Sequence, residues 1–475
     1  MLGYLPKYIS DRSIAVYVAL LLAIPVLFGH PMTWYWWAFG IVEVGAFFYF
    51  GNLLSKQWQA GSSKHFVQNV FWTALFLRIA YVLFSYYFYI NVNQSFFEFN
   101  AADAYTYHMF AERGADMISR GEFNFWEQFN SYGFINHLDQ SDTGYPVYLS
   151  FLYFLTGKSI VVARLVKSLL SALTVVLTYR IAQRNFGERT ARLAAVFCVL
   201  MPNLIYYCGT HVKETEMLFI TMLFLDRADL LIRSDKLSWL RIFECLVLCV
   251  ASFFLRAILS VVLVLALLTG LVFSNEKVSS RVKRLSIAAL IVLMTGTVFW
   301  NTVSEAFVLS DYTNVQAQQD RNMQWRAERS GGNQFAQYAG AAVFAPLIFT
   351  IPFPTMVDIP GQENLQLLHG GNFVKNITSF FTILALLSLF LSGRWREKVL
   401  PIAFLCGYLI VLVFSNFAQS ERFHIPILPL SLTMAAYGLS EVFSNKHKPW
   451  FLLWLAFILV ANLGWTWFKL RGRGM

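Results

Sequence analysis

Charge is what this chain has least of. Asp, Glu, Lys and Arg make up 13% of its 475 residues, against about 25% in a soluble domain of average composition. So small a charged fraction cannot clothe a water-exposed surface, which excludes an ordinary soluble globular protein. Cysteine is scarce as well. Cys198, Cys208, Cys245, Cys249 and Cys406 form no CxxC pair and show no metal-ligand spacing, so neither a zinc site nor a redox motif is written here. All five lie in or beside apolar stretches and read as small buried hydrophobes. Strict polar–apolar alternation is missing, which argues against a transmembrane β-barrel. Heptads, low-complexity tracts and repeats of about 20 to 50 residues are missing too. No cleavable leader is expected. The first apolar run, from about Ser13, is long, and Gly29-His30-Pro31 reads as a turn rather than a cleavage site.

What is present is apolar: hydrophobic residues make up 57% of the chain. They gather into continuous runs of roughly 20 residues, the length a helix needs to cross the hydrocarbon core. Helices pair their own backbone groups, so they are the default spanning element. The runs predict an all-α polytopic membrane protein of about thirteen transmembrane helices with amphipathic helices in its outer-face loops. Expected spans are 13–30, 33–53, 67–92, 161–182, 191–209, 214–232, 242–255, 257–274, 285–302, 373–392, 397–415, 425–442 and 449–467. The stretch 242–274 is interrupted by Arg256. Two shorter runs, Tyr145–Leu155 and Tyr338–Ile351, are expected to lie on the membrane surface or to re-enter it.

The net charge is +10, which in a soluble protein would raise nucleic acid as a partner. Here the basic residues sit in short loops between spans, so membrane orientation is the simpler cause and no nucleic acid is expected. Six loops place Lys56 and Lys64; Arg184, Arg189 and Arg192; Arg233, Lys236 and Arg241; Lys277, Arg281, Lys283 and Arg284; Arg394, Arg396 and Lys398; and Lys446 and Lys448 on one, cytoplasmic, face. Lys469, Arg471 and Arg473 break the rule by falling outside. Asn93–Ile160, Val303–Asn372 and Asn416–His424 then share the outer face. The expected organisation is an appended helix pair (1–66), a core module (67–302, outer loop 93–160), an outer-face loop with a re-entrant segment (303–372) and C-terminal helices (373–475).

Polar groups at the membrane boundary are costly, so their placement is informative. The first outer loop opens Asn100-Ala101-Ala102-Asp103-Ala104-Tyr105-Thr106-Tyr107-His108, and apolar residues then recur at helical spacing through Met109, Phe110, Met117 and Ile118. Asp103 reads either as charge capping that helix or as a general base for an acceptor hydroxyl. Glu214 and Glu216 open a later helix at its outer end, where favourable helix-end charge is the plain alternative. Arg422, in Gln419-Ser420-Glu421-Arg422-Phe423-His424, and Arg256 lie at outer mouths of spans. They suit forked contact with phosphate oxygens, or simply snorkel. Tyr105, Lys213 and His424 flank these charges and are read with them as substrate contacts. Arg78 and Arg164, inside or at the edge of spans, are expected to pair with Glu43 or Asp226. Two acids and two arginines on one face suit a hydroxyl attacking a phosphate-linked lipid donor. The histidines His108, His137, His211, His369 and His424 are scattered, so no metal site is predicted; a divalent cation is the one cofactor left open.

Several blocks resemble, in order, the GT-C fold integral-membrane glycosyltransferases, nearest to the protein mannosyltransferase and aminoarabinose lipid A transferase group. They are Asp103 in Ala-Asp-Ala-Tyr; Gly144-Tyr145-Pro146-Val147-Tyr148 through Phe154-Leu155-Thr156-Gly157; Ala163-Arg164-Leu165-Val166-Lys167 to Tyr179-Arg180-Ile181-Ala182; Phe186-Gly187-Glu188-Arg189; Met201-Pro202-Asn203 to Tyr207; and Glu421-Arg422-Phe423-His424-Ile425-Pro426. The resemblance implies a GT-C-like bundle and a sugar carried on a polyprenyl phosphate. The sugar would pass by inverting displacement to a lipid, glycan or protein acceptor at the outer face, in a bacterial inner membrane facing the periplasm. It implies Asp103 as base, Glu214 as a second acid, and Arg256 and Arg422 on the lipid phosphate. Two departures separate it from either named activity. Asp103 is followed by Ala104, not a second acid, and no Lys-Pro pair precedes Gly144. A polysaccharide polymerase or ligase remains an alternative through the loop bearing Arg321, Arg326, Arg329 and His369. A lipid-linked sugar flippase or transporter would instead place its polar residues at the midplane.

Overall fold

The computed structural model describes residues 3–124, 143–234, 238–274, 344–415 and 417–475, with Gln324, Glu328 and Asn333 besides. The expected span 285–302, the loop basics Lys236, Lys277, Arg281, Lys283 and Arg284, the side chains His137, Arg321, Arg326 and Arg329, and the run from Tyr338 to 343 lie outside the described residues. Among the described residues the regular elements are helices joined by short irregular segments. In chain order the helices are α1 (Lys7–Phe28), α2 (Trp34–Gln57), α3 (Ser63–Asn93), α4 (Ala102–Arg120), α5 (Gly144–Thr156), α6 (Ile160–Phe186), α7 (Glu188–Leu200), α8 (Pro202–Gly209) and α9 (Glu214–Ile232). Then come α10 (Trp239–Phe253), α11 (Ala257–Phe273), α12 (His369–Leu391), α13 (Arg394–Phe414), α14 (Glu421–Val442) and α15 (Asn445–Arg471).

The chain is a multi-pass membrane protein, and the described residues do not show the expected count of thirteen. Among the described residues eight helices are long and apolar enough to cross a membrane, or nine if the bent pair α7–α8 is one span. The difference has three causes. One expected span lies outside the described residues. The 242–274 stretch folds as α10 and α11, of 15 and 17 residues, split where Arg256 takes an extended conformation. The 214–232 stretch does form α9, yet Glu214, Glu216, Asp226, Arg227 and Asp229 make it too charged to count by apolarity.

Local signals set the ends of these helices. Ser62 and Ser159 accept backbone N–H bonds that cap α3 and α6. At Gly187 φ is +86°, which lets α6 turn directly into α7. The bend between α7 and α8, 44°, falls at Pro202. Proline has no N–H, so the carbonyl of Cys198 loses its helical partner. The fully buried Arg78 of α3 supplies the replacement. It donates to the Cys198 carbonyl at 3.0 Å, to the Val199 carbonyl at 3.4 Å and, through Nε, to Ser171 at 2.6 Å. Arg78 therefore pairs with neither Glu43 nor Asp226. Glu43 accepts the backbone N–H of Gly371 at the start of α12, and Asp226 binds Arg184 at 2.7 Å.

Contacts sort the helix ends onto two faces. On one, Arg192 donates to the carbonyls of Trp58 and Gln59, Ser63 bonds Glu188, Arg189 lies 3.6 Å from Glu441, and the Lys398 ammonium lies over Phe186. These belong to the basic loops. On the other, Asn100 donates to Gly361 and Glu363, and Arg422 reaches Asp103. The exceptional C-terminal basics belong here as well. Lys469 is buried and donates to Thr355 and to Gln362, and Arg473 bonds the Lys469 carbonyl. These residues tie α15 to the outer segment, a use that overrides the usual charge bias of loops.

Candidate active site

Four side chains from four separate segments converge at the outer ends of the helices. Asp103 sits in the first turn of α4. The N-cap of that helix, Ala101, makes no side-chain hydrogen bond, and the Asp103 carboxylate turns to another partner. The partner is Arg422, whose Nη1 donates to Asp103 Oδ2 at 2.5 Å. Through Nε the same guanidinium donates to Glu214 Oε1 at the start of α9. Arg256, extended between α10 and α11, places Nη2 3.7 Å from the same Glu214 oxygen and Nη1 3.4 Å from the Tyr408 hydroxyl. Its guanidinium also lies 4.3 Å from the centre of the Phe423 ring, a cation–π contact that fixes the side chain.

Burial makes the two acids different. The Glu214 side chain is wholly buried, whereas that of Asp103 is 54% exposed. A cavity of about 220 Å³ opens beside them, lined among others by Glu98, Asn100, Asp103, Tyr207, Glu421 and Arg422. That is smaller than typical ligand pockets, which begin at about 300 Å³, so a substrate needs the Arg422 bridge to move or reaches in only with its reacting end. Oε2 of Glu214 and of Glu421 is buried and accepts no hydrogen bond from a described residue.

A second charged group lies under the first. Arg164 and Lys167, three residues apart on one face of α6, are both buried. Arg164 donates to the Phe96 carbonyl and lies 4.0 Å from Glu98; Lys167 lies 3.8 Å from Glu216 and donates to the carbonyls of Thr210 and Val212. These bonds hold the segment between α8 and α9, and with it Glu214, in place. Glu98 in turn accepts the His211 backbone N–H at 3.1 Å.

His211 ends a short chain of bonds to the surface. Its Nε2 pairs with the Tyr153 hydroxyl at 3.0 Å, that hydroxyl pairs with His108 Nδ1 at 2.8 Å, and His108 Nε2 lies 3.6 Å from Glu112. Burial, with Arg164, Lys167 and His108 nearby, holds His211 well below the ordinary histidine pKa and so neutral. Burial lowers His108 too, against the opposing pull of Glu112, and raises the Tyr153 hydroxyl.

The structure thus brings Asp103, Glu214, Arg256 and Arg422 together, with the Lys213 charge acting on Glu214, and places Tyr105 and His424 away from them. Tyr105 is exposed, with its ring against Phe97. His424 is buried between Lys375, at 2.8 Å from Nδ1, and the Ala418 carbonyl. Lys213 is buried at the start of α9. None of the three lines the cavity. Glu98, Tyr207 and Glu421, which do line it, were not singled out as site residues in the sequence; Tyr207 and Glu421 stood there only inside longer motifs. A signal existed for their supporting cast: two charges three apart within an apolar run, Arg164 and Lys167, demand buried partners. Among the described residues no three His, Cys, Asp or Glu side chains are grouped to hold a metal ion.

Residues 144–300 match the family described as dolichyl-phosphate-mannose-protein mannosyltransferase. The resemblance read from the motifs therefore holds over a stretch that includes Arg164, Lys167, Glu214 and Arg256. An oligosaccharyltransferase of Archaeoglobus fulgidus, crystallised with a disulfide-tethered acceptor peptide containing the NVT sequon, is similar at 14% identity and a TM-score of 0.47. That likeness covers 86% of this chain and 55% of the other, so the chain spans little more than half the length of that enzyme. No curated protein matches the chain.

Proposed function

We propose that this protein is a GT-C-type membrane glycosyltransferase. It transfers a sugar from a polyprenyl-phosphate donor to a hydroxyl of a lipid, glycan or protein acceptor at the face bearing Asp103. The observation that carries the reading is one guanidinium, Arg422, held between an exposed and a buried carboxylate at a membrane-level cavity. The family match over 144–300 supplies the class of donor.

The residues divide the work by burial. Asp103, the exposed acid, takes the acceptor's hydroxyl proton. The acceptor oxygen bonds the sugar's anomeric carbon as the bond from that carbon to phosphate oxygen breaks, a single displacement that inverts the centre. The polyprenyl phosphate leaves as an anion, and Arg422 and Arg256 receive its charge. Glu214 is too buried to meet solvent; one of its oxygens aims both guanidiniums and offsets the repulsion between them. When the donor phosphate arrives, Arg422 exchanges the Asp103 carboxylate for phosphate oxygens, which frees Asp103 as a base at the moment a substrate is present.

The test is to incubate the purified protein with a panel of polyprenyl-phosphate sugars and candidate acceptors and to identify products by mass spectrometry. A new glycoside with release of polyprenyl phosphate supports the proposal. Movement of labelled donor across vesicles with no new glycoside would replace it with a transporter.

A further inference from the structure

Three membrane segments that run toward the outer charges meet a second feature at their opposite ends. α9 begins at Glu214 and runs 19 residues, about 28 Å at helical rise, to Ile232 and Arg233. α11 begins after Arg256 and ends at Ser274. α13 rises from Arg394–Lys398 toward the segment that holds Arg422. At these far ends lies a cavity of about 270 Å³, lined by Asn185, Asp229, Arg233, Arg396, Glu397 and Lys398 with Ile232, Gly270, Val399 and Leu400. It lies among the basic loops, a helix length from Asp103.

Its lining is basic in excess. Asp229 and Glu397 are its acids, against Arg233, Arg396 and Lys398. Asp229 is already committed three times, accepting from Arg184 at 2.5 Å, from Arg233 at 3.0 Å and from Asn185 at 3.1 Å. Glu397 lies between Lys398 at 3.5 Å and Arg394 at 3.9 Å. Arg396 pairs with no carboxylate of the described residues and rests its guanidinium 5.5 Å from the centre of the Trp395 ring. The lining also includes apolar Ile232, Val399 and Leu400, and Val272 and Phe273, at the same end of α11 but outside the lining, are 40% and 54% exposed. Basic and apolar groups together at one cavity between helices match the two parts of a lipid.

We propose that this cavity binds the phosphate-bearing headgroup of an anionic phospholipid from the leaflet opposite the transferase site. Arg233, Arg396 and Lys398 meet the phosphate; Val399, Leu400 and Ile232 meet the start of the acyl chains. The proposal does not depend on the transferase reading.

The test uses the full chain, purified in detergent, stripped of loosely held lipid and examined by native mass spectrometry after addition of phosphatidylglycerol or phosphatidylcholine. The wild type is expected to retain phosphatidylglycerol in preference to phosphatidylcholine and to melt higher with it. Arg396→Gln combined with Lys398→Gln is expected to weaken that retention about tenfold to thirtyfold, from about 1 kcal/mol per basic residue. Lys446→Gln with Lys448→Gln, on the same face but outside the cavity, is expected to leave it unchanged. Equal retention of the two lipids, or loss in the Lys446/Lys448 variant as large as in the cavity variant, overturns the proposal. So does protection by inorganic phosphate alone equal to that by phosphatidylglycerol, since the site then reads free phosphate. If the cavity variant does not fold, the comparison of the two lipids on the wild type decides.

Discussion

Arg422 holds two carboxylates at once, and the two pairs are predicted to differ in worth. Glu214 is wholly buried, so removing the guanidinium strands a charge in a low-dielectric site, a loss of about 3–5 kcal/mol for a buried pair. Arg256 remains 3.7 Å from the same oxygen and offsets part of that, which brings the expected cost of Arg422→Gln to about 2–3 kcal/mol. Asp103 is 54% exposed, and an exposed pair is worth about 0–1 kcal/mol. Double-mutant cycles separate the two. The Arg422→Gln and Glu214→Gln cycle should give a coupling of about 2 kcal/mol, the Arg422→Gln and Asp103→Asn cycle less than about 1 kcal/mol. Reversible unfolding by SDS in mixed micelles provides the free energies. Equal couplings, or a larger one for Asp103, would refute the reasoning that burial decides between them. The inequality is what the proposed role of Asp103 requires: cheap release while Glu214 stays fixed.

Other predictions follow from the supporting structure. Arg78→Met leaves the Cys198 and Val199 carbonyls without their donor and should cost about 2–4 kcal/mol in the same unfolding assay; adding Pro202→Ala restores an N–H and should recover about 1 kcal/mol. Cysteines introduced at Tyr105 and Met475 should label with an impermeant maleimide from one side of sealed vesicles, and cysteines at Lys56 and Arg394 from the other; labelling of Met475 with Lys56 would contradict the placement of α15. Acid should destabilise the fold through His211. Its folded pKa lies well below the unfolded value of about 6.5, so the unfolded chain binds the extra proton first and stability is lost as pH falls below about 6.5, at up to about 1.4 kcal/mol per pH unit. His211→Gln should flatten that slope, and an unchanged slope would remove His211 as its source.

The apolar runs made most of the fold legible, because about 20 residues of hydrocarbon-soluble helix leave a continuous mark. Each expected span within the described residues coincides with a helix, apart from 191–209, which is the bent pair α7 and α8, and Arg256 marked a true break. What the runs could not give was partners. Arg78 answers carbonyls freed by Pro202, more than a hundred positions away, and nothing near Arg78 in sequence says so. At the site, Asp103, Glu214, Arg256 and Arg422 were visible as costly charges at one face. Tyr105 and His424 were taken with them by adjacency, yet each stands two positions from its charged neighbour in a helical turn. Residues so spaced point to opposite sides of a helix. Adjacency in sequence thus says nothing of the side a residue takes, which helical geometry supplies.

The measurement closest to the central claim is product formation by wild type and Asp103→Asn with the same polyprenyl-phosphate sugar, scored beside donor retention and thermal stability. A transferase with Asp103 as its base loses product in the variant while keeping donor and fold, since the carboxylate is exposed and lightly coupled. Product at the wild-type rate from Asp103→Asn would contradict the account.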